Sequence, residues 1–535
     1  MTDLDTALIE RRVDALLAPW TAAGGPGMTI GVVLDGRLAV HRHGGHASLE
    51  HRVPIGPATR FRIASVSKQF TCAAILILAE EGKLTLDDEA RHHLPELPEY
   101  SWPVTVAHLM HNTSGIRDMF EIMRMGGADL GTPVTPRDLL DGICRQRTLN
   151  FRPGARFLYS NSNFLLLGLI VERLSGETLE AFLERRVFAP LGMRDTRVTP
   201  NVAEAIPNLV TGYFPDGPGR WTRAAHAFPL HGEGGLVSSV TDLALWARNA
   251  ATRRVGAGWL DALPRQTPFL NGTANRYARG LILRPYRGLD TVSHGGLWPG
   301  YKTEYLRVPE LGLAVIAIAN AGDADPSMAA HRALDAVFDG RPGVHPVPAL
   351  PPAATLEALV GRYLDPATGA TLDVALPAPD RPTLTLNGLT VNAEATEDGR
   401  LASSRSSSVF LLRPADAGGI EVEQDAGTVG VWHRVRPGAA LPADLPGTYR
   451  SDEMATTWTV TAEDGRTLVR AAGPVVNGPA WELEAVEGDV FRLHIPGALM
   501  RGWLDVRVRR DGPAPVLEAS GGRLKRAAFR RVDPA

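Results

Sequence analysis

Ser65 and Lys68 stand three residues apart in the stretch "RIASVSKQFT" (62–71), which reads as the start of a helix. Both side chains then fall on one helical face, within hydrogen-bond reach. A serine hydroxyl is a weak nucleophile until a neighbouring base takes its proton, and a helix start adds backbone N–H groups facing the negative charge that develops. The lysine is an unusual choice here, because the chain holds four lysines (Lys68, Lys83, Lys302 and Lys525) against 52 arginines. A guanidinium stays charged in proteins, whereas a crowded ammonium can be driven to release its proton, so Lys68 is a candidate base. The plainer alternative makes Ser65 a helix cap and Lys68 a solvated first-turn residue. Two further stretches qualify. "RPGARFLYSNSNFLLLG" sets Tyr159 and Asn161 two apart at a loop-to-helix junction, and "TVSHGGLWPG" sets His294 before Gly295 and Gly296 at the end of a strand. Taken singly, they read as a packed aromatic, a helix cap and a turn.

The elements that must position these residues are legible in the periodicity. "SKQFTCAAILILAEEGKLTLDD" predicts a helix closing near Gly82, and "SNFLLLGLIVERLSGETLEAFLERRVFAPLGM" predicts two helices broken at Gly176. "MTIGVVLDGRLAVHRHGGH" (28–46) and "TEYLRVPELGLAVIAIAN" (303–320) read as hairpins of one antiparallel sheet. The pattern over residues 1–337 is therefore α+β. "FDGRPGVHPVPALPPAA" (338–354) reads as an extended linker. Beyond it helical periodicity fades, and short alternating runs such as "TLTLNGLTV" and "TWTVTAEDGRTLVR" recur. "LVGRYLDPATGATLDV" from 359 resembles "LPGTYRSDEMATTWTV" from 445, and the endings "VWHRVRP" and "AAFRRVDP" are alike. Two consecutive antiparallel β-barrel modules, 355–440 and 441–535, explain the repeat.

Composition narrows the function. With 535 residues the chain exceeds one core, and a net charge of -3 supplies no basic field for nucleic acid. No run of about 18 uninterrupted apolar residues predicts a membrane span. The opening "MTDLDTALIERRVDALLAPW" lacks the pattern of a secretory signal, so a cytoplasmic location is expected. Cys72 and Cys144 lie in apolar helical surroundings that suit free thiols. The histidines of "HRHGGH" (41–46), and His92 and His93, lack the companions of a metal set, and no phosphate loop of the Walker type occurs, so neither metal nor cofactor is expected.

The ordered trio "SVSK", "YSN" and "HGG" resembles the penicillin-recognising serine hydrolases, and "HLMHNTSGI" (108–116), "EGGLVSSVTDLALWA" (233–247) and "LWPGYKTEYLRVPELGLAVIAIAN" (297–320) are similar to that family too. The resemblance implies a serine β-lactamase-like catalytic domain, an antiparallel sheet flanked by helices, ahead of the two barrels. It makes Ser65 the nucleophile of an acyl-enzyme, with Lys68 and Tyr159 sharing general-base work and Lys68 lowering the Tyr159 pKa. Asn161 binds the substrate amide, and the backbone N–H groups of Ser65 and Leu297 form the oxyanion hole. His294 stands where many relatives carry a lysine, and Gly296 leaves room for substrate along the strand edge. A neutral histidine clamps a carboxylate poorly, which favours substrates lacking that group. A catalytic domain with two such barrels resembles the D-stereospecific aminopeptidases, which release N-terminal D-amino acids from peptides or amides and in which the last barrel sends a loop to the active-site mouth. "AAGPVVNGPAWELEAVEGD" (471–489) is the expected loop, with Glu482, Glu484, Glu487 or Asp489 meeting the substrate amine. A small peptide or amide is the expected partner and a homodimer the candidate assembly. A small-substrate esterase or amidase uses the same trio. A β-lactamase or D-alanyl carboxypeptidase, and a non-catalytic binding relative, rank below it.

Overall fold

A computed structural model of the chain describes residues 6–22, 24–129, 131–403, 410–424, 427–436, 438, 440–474, 477–495 and 502–532. Its N-terminal part is built on a six-stranded antiparallel sheet. The strands are β1 (Met28–Leu34), β2 (Arg37–Gly44), β3 (Ile282–Tyr286), β4 (Leu289–Trp298), β5 (Tyr301–Val308) and β6 (Leu313–Ala319), in the order β3-β4-β5-β6-β1-β2. The two hairpins read from the sequence are therefore neighbours, joined through β1 and β6 in register Met28 to Ala319. Every residue of β6 is buried, because helices cover both faces of the sheet and leave no position for a polar side chain.

The helices that matter for the site are α1 (Thr6–Ala22), α2 (Lys68–Glu80), α3 (Met119–Met125), α4 (Asn161–Ser175), α5 (Val240–Thr252) and α6 (Pro326–Phe338). α1 and α6 pack Ile9, Val13, Leu334 and Phe338 against Ile30, Val32 and Val315 on one face. On the other, Phe70 of α2, Leu166 of α4 and Trp246 of α5 join Ile316 and Ile318 in the largest core. α2 is buried from Lys68 through Leu78, the mark of a helix enclosed on every side. Among the described residues no helix is long and apolar enough to cross a membrane.

The expected linker is shorter than 338–354. α6 runs to Phe338 and α7 (Ala353–Leu359) begins before 354. Leu356 and Leu359 of α7 are buried in the core of the following module, and this packing, absent from any local sequence signal, holds so short a helix. That module is a nine-stranded antiparallel sheet running from Gly361–Leu364 to Thr428–Arg434. The last module is a closed eight-stranded barrel from Gly447–Ser451 to Ala527–Arg531.

α3 binds the two ends of the molecule together. Its Met119 and Met123 belong to the core beside the sheet, whereas Ile122 and Met125 are buried among Trp458, Phe529 and the rest of the barrel core. Trp458 Nε1 donates to the Met125 carbonyl at 3.0 Å. Beside it, Arg117 donates to Glu453 of the barrel at 2.8 Å, and Glu453 also accepts from the backbone N–H groups of Arg147 and Thr148 at 2.7 and 2.9 Å.

Candidate active site

Ser65 lies in a one-turn helix, Ala64–Ser67, that leads directly into α2. It is half-buried while its neighbours from Phe61 to Leu78 are buried, so its hydroxyl faces the open side. The residue before it, Ala64, holds φ at +49°, a left-handed conformation that costs a non-glycine residue about 1 kcal/mol or more. β4 presses on this turn. A Cβ on Gly296 would lie 2.3 Å from the Ile63 carbonyl oxygen, so Gly296 serves close packing of strand on turn. The reason differs from the expected one, which was space for substrate.

Lys68 Nζ reaches three oxygens: Ser65 Oγ at 3.0 Å, Asn161 Oδ1 at 2.9 Å and the Glu233 carbonyl in a short contact. Two of these, an amide and a peptide oxygen, can only accept. A neutral amine with two N–H groups therefore spends both on them and directs its lone pair at the third partner, the Ser65 hydroxyl, which can donate. Complete burial, above all, pulls the Lys68 pKa down to about 7, with the Arg523 cation acting in the same direction and Glu233 and Asp118 opposing it.

Tyr159 completes the cluster. Its ring lies 4.9 Å from Lys68 Nζ, and Ser65 is among the groups that act on its hydroxyl. Burial dominates the phenol and raises its pKa, with Arg523 and Ser65 opposing. The net shift is upward, where a lowered pKa was expected. The resting state is thus a neutral phenol beside a lysine that readily loses its proton.

The Tyr-Ser-Asn turn is held by the "HNTSG" segment. Asn112 Oδ1 accepts from the Ser160 N–H at 3.1 Å and from Asn163 Nδ2 at 2.8 Å, and Ser114 Oγ donates to Asn163 Oδ1 at 2.7 Å. Asp118 fixes Asn161, accepting from its backbone N–H at 2.7 Å and from Nδ2 at 2.9 Å, while also capping α3. This orients the Asn161 amide with oxygen toward Lys68, leaving one Nδ2 hydrogen uncommitted at the cavity wall.

A cavity of about 1000 Å³ opens over Ser65, Tyr159, Asn161 and Leu297, walled by all three modules. β4 extends past its β3 partner, since β3 pairs only as far as Ser293, so residues 294–298 present a free edge on that side. Leu297 is 55% exposed there. His294 is not on this wall. It is buried behind Tyr159, with Nε2 3.0 Å from the Tyr277 hydroxyl and Nδ1 2.6 Å from the Gly295 carbonyl. Burial, then Lys68, depresses its pKa to about 3, so it is neutral, with Nδ1–H donating to Gly295 and Nε2 accepting from Tyr277. The structure thus corrects the expectation that His294 binds substrate: it supports the Tyr159 ring at a centroid distance of 6.1 Å.

The expected barrel loop is also corrected. Within 471–489, residues 475 and 476 lie outside the described residues, and Gly473 and Gly478 pack on Gly126 and Gly127 at the end of α3. The four acids point elsewhere. Glu484 pairs with Arg362 at 2.7 Å, Glu487 with His433 at 3.1 Å and Asp489 with Arg510 at 3.3 Å, while Glu482 is exposed on its strand. The turn that reaches the site is Gly521–Arg526. The Arg523 guanidinium lies 4.7 Å over the Tyr159 ring, its carbonyl accepts from the Asp118 N–H at 3.3 Å, and Lys525 N–H donates to Asn150 Oδ1 at 2.8 Å. Asp118, Glu233, Tyr277 and Arg523 were missed by sequence reasoning. The lysine argument applied to Lys68 points equally to Lys525 in "SGGRLKR", and so to this turn.

A serine, a lysine and a tyrosine brought together under a cavity, on a helix-flanked antiparallel sheet, define a serine-hydrolase type of centre. The Beta-lactamase family profile matches residues 8–339, and the chain belongs to that family. Among curated proteins it is 29% identical to a D-aminopeptidase of Gluconobacter oxydans (strain 621H), over 93% of each chain. Among solved structures it is similar to the octameric penicillin-binding protein homologue from Pyrococcus abyssi (25% identity, TM-score 0.57, covering 80% of this chain and 100% of that one). It is likewise similar to the D-amino acid amidase from Ochrobactrum anthropi SV3 complexed with L-phenylalanine amide (25% identity, TM-score 0.52, 62% and 98%).

Proposed function

We propose that the chain is a D-aminopeptidase, a serine hydrolase that releases an N-terminal D-amino acid from peptides or amides through an acyl-enzyme. The observation that carries the chemistry is Lys68 Nζ held 3.0 Å from Ser65 Oγ, where a neutral amine can take the hydroxyl proton. Lys68 takes the Ser65 proton as Oγ attacks the carbonyl carbon, and the Tyr159 phenol, beside both, passes a proton to the leaving nitrogen. The backbone N–H groups of Ser65 and Leu297 receive the oxyanion, each worth about 3 kcal/mol in comparable sites. Asn161 offers its free Nδ2 hydrogen to the substrate amide. The D-aminoacyl preference rests on likeness to D-aminopeptidase and D-amino acid amidase relatives over the whole chain and the N-terminal part, respectively.

A substrate ammonium leaving water needs an acidic partner. Glu121 supplies one: its Oε2 is buried without a hydrogen-bond partner among the described residues, and the residue lines the cavity. Hydrolysis of D-alanyl and L-alanyl nitroanilides, a butyrate ester and a chromogenic cephalosporin tests the reading. We expect the D-anilide to be preferred, and Ser65→Ala to lose about a thousandfold or more. An L-compound cleaved as fast as its D-partner removes the D-aminopeptidase assignment, and a faster ester replaces it with an esterase. A homodimer stays the assembly we expect, and multi-angle light scattering measures it.

A further inference from the structure

We propose that Arg523, from the last barrel, receives the free carboxylate of the residue that leaves, making dipeptides with an N-terminal D-residue the preferred substrates. The inference rests on the aminopeptidase reading and specifies its substrate class. Of the other cations at the cavity wall, Arg509 pairs with Glu518 at 3.2 Å and Arg124 with Glu121 at 3.5 Å, Arg507 and Lys525 donate to the Pro366 and Gly521 carbonyls at 2.9 and 2.7 Å, and Arg156 and Arg526 are exposed. Arg523 is different. Its nearest carboxylate, Asp118, is 4.0 Å away and already accepts from the N–H groups of Phe120, Glu121 and Asn161 and from Asn161 Nδ2. Among the described residues no hydrogen bond ends on the Arg523 guanidinium, and its side chain is 38% exposed at the cavity.

Its position sets the ligand. Tyr159 delivers the proton to the leaving nitrogen, so a cation 4.7 Å from that ring stands on the leaving-group side of Ser65. In a dipeptide the terminal carboxylate carbon is two bonds, about 2.5 Å, beyond that nitrogen; a third residue carries it roughly 3.6 Å further and out of register. A guanidinium binds a carboxylate through two parallel N–H bonds. The neutral, buried His294 had argued against carboxylate-bearing substrates; Arg523 provides the permanent cation from another module.

The test compares D-alanyl-glycine, D-alanyl-glycinamide, D-alanyl-glycyl-glycine and N-acetyl-D-alanyl-glycine. Wild type should cleave the dipeptide with kcat/KM at least about tenfold above the carboxamide and the tripeptide. Read above the acid limb, Arg523→Gln should lower the dipeptide value about 30-fold, mostly through KM, and shrink the dipeptide-to-carboxamide ratio about tenfold, with Arg523→Lys recovering part of that ratio. Equal wild-type rates on dipeptide and carboxamide overturn the proposal without any variant, as does a uniform loss across substrates in Arg523→Gln. If the N-acetylated compound is cleaved as fast as the free dipeptide while the carboxamide discrimination persists, the aminopeptidase reading fails and the Arg523 assignment survives.

Discussion

In the first β module the Tyr363 hydroxyl donates to the Leu359 carbonyl at 2.9 Å; in the second, Tyr449 donates to Leu445 at 2.9 Å. Arg434 crosses the Tyr363 ring at 5.1 Å and Arg531 the Tyr449 ring at 6.0 Å. A Cβ on Gly361 would meet Arg434 at 2.2 Å, and one on Gly447 would meet Arg531 at 2.8 Å. One glycine-tyrosine-arginine lock thus closes both modules, and it is the faint repeat seen in the sequence. Their uses differ. The second barrel shares its core with α3 and sends Arg523 to Tyr159. The first leans on the second through Arg492, which makes two 2.8 Å bonds to Asp373, and through Asp505 bound to Thr371, and it contributes only wall to the cavity. A repeated scaffold therefore does not imply a repeated role; the role lies in what each copy inserts into its neighbour.

Ile122→Ala tests this division most severely. It empties a site where α3, anchored in the catalytic core by Met119 and Met123, is buried in the barrel core, and should cost about 3 kcal/mol, with activity lost alongside stability in calorimetry. A variant that keeps full stability breaks the claim that α3 unites the two. Arg492→Met should cost less, about 2 kcal/mol, because Asp373 remains 30% exposed and keeps Arg362 as a partner. It should loosen the first module while kcat on a D-alanyl anilide stays within about twofold, and a large kcat loss would give the first module a catalytic share.

Tyr363→Phe and Tyr449→Phe should each cost about 1 kcal/mol in urea unfolding, and unequal costs would mean that the lock is not equivalent in the two modules. The smallest effect is on pH. Lys68 must be neutral to accept a proton, so kcat/KM should fall as pH drops through about 7. Arg523 helps to hold that pKa down, so Arg523→Gln should move the acid limb to higher pH. A limb unmoved, or moved lower, separates Arg523 from the proton-transfer groups.

Much of this was legible because it is local. The hairpins of β1–β2 and β5–β6 carry their own alternation and turns, α4 stops at Gly176 as its sequence predicts, and Ser65 and Lys68 meet across one helical turn. Tyr159 and Asn161 were legible only through resemblance, since nothing near them encodes the Asp118 and Asn112 side chains that pin them. His294 was misread because its motif position says nothing of burial, and burial by Tyr159 and Tyr277 decides its charge. Arg523 had no local signal, because an arginine on a turn among 52 arginines becomes special only when a barrel delivers it to a tyrosine. Truncation near residue 340, attractive as a test of the barrels when only the sequence is considered, would strip Ile122 and Met125 of their cover and so confound gating with misfolding.

Arg523 follows Asn150, whose side chain holds its carbonyl, by 373 positions. At ordinary rates of translation that separation takes roughly 20–75 s. For all but the first few residues of that interval the nascent chain carries its serine, lysine and tyrosine without the cation beside them, so leaving-side recognition is switched on only after the reactive centre has left the ribosome.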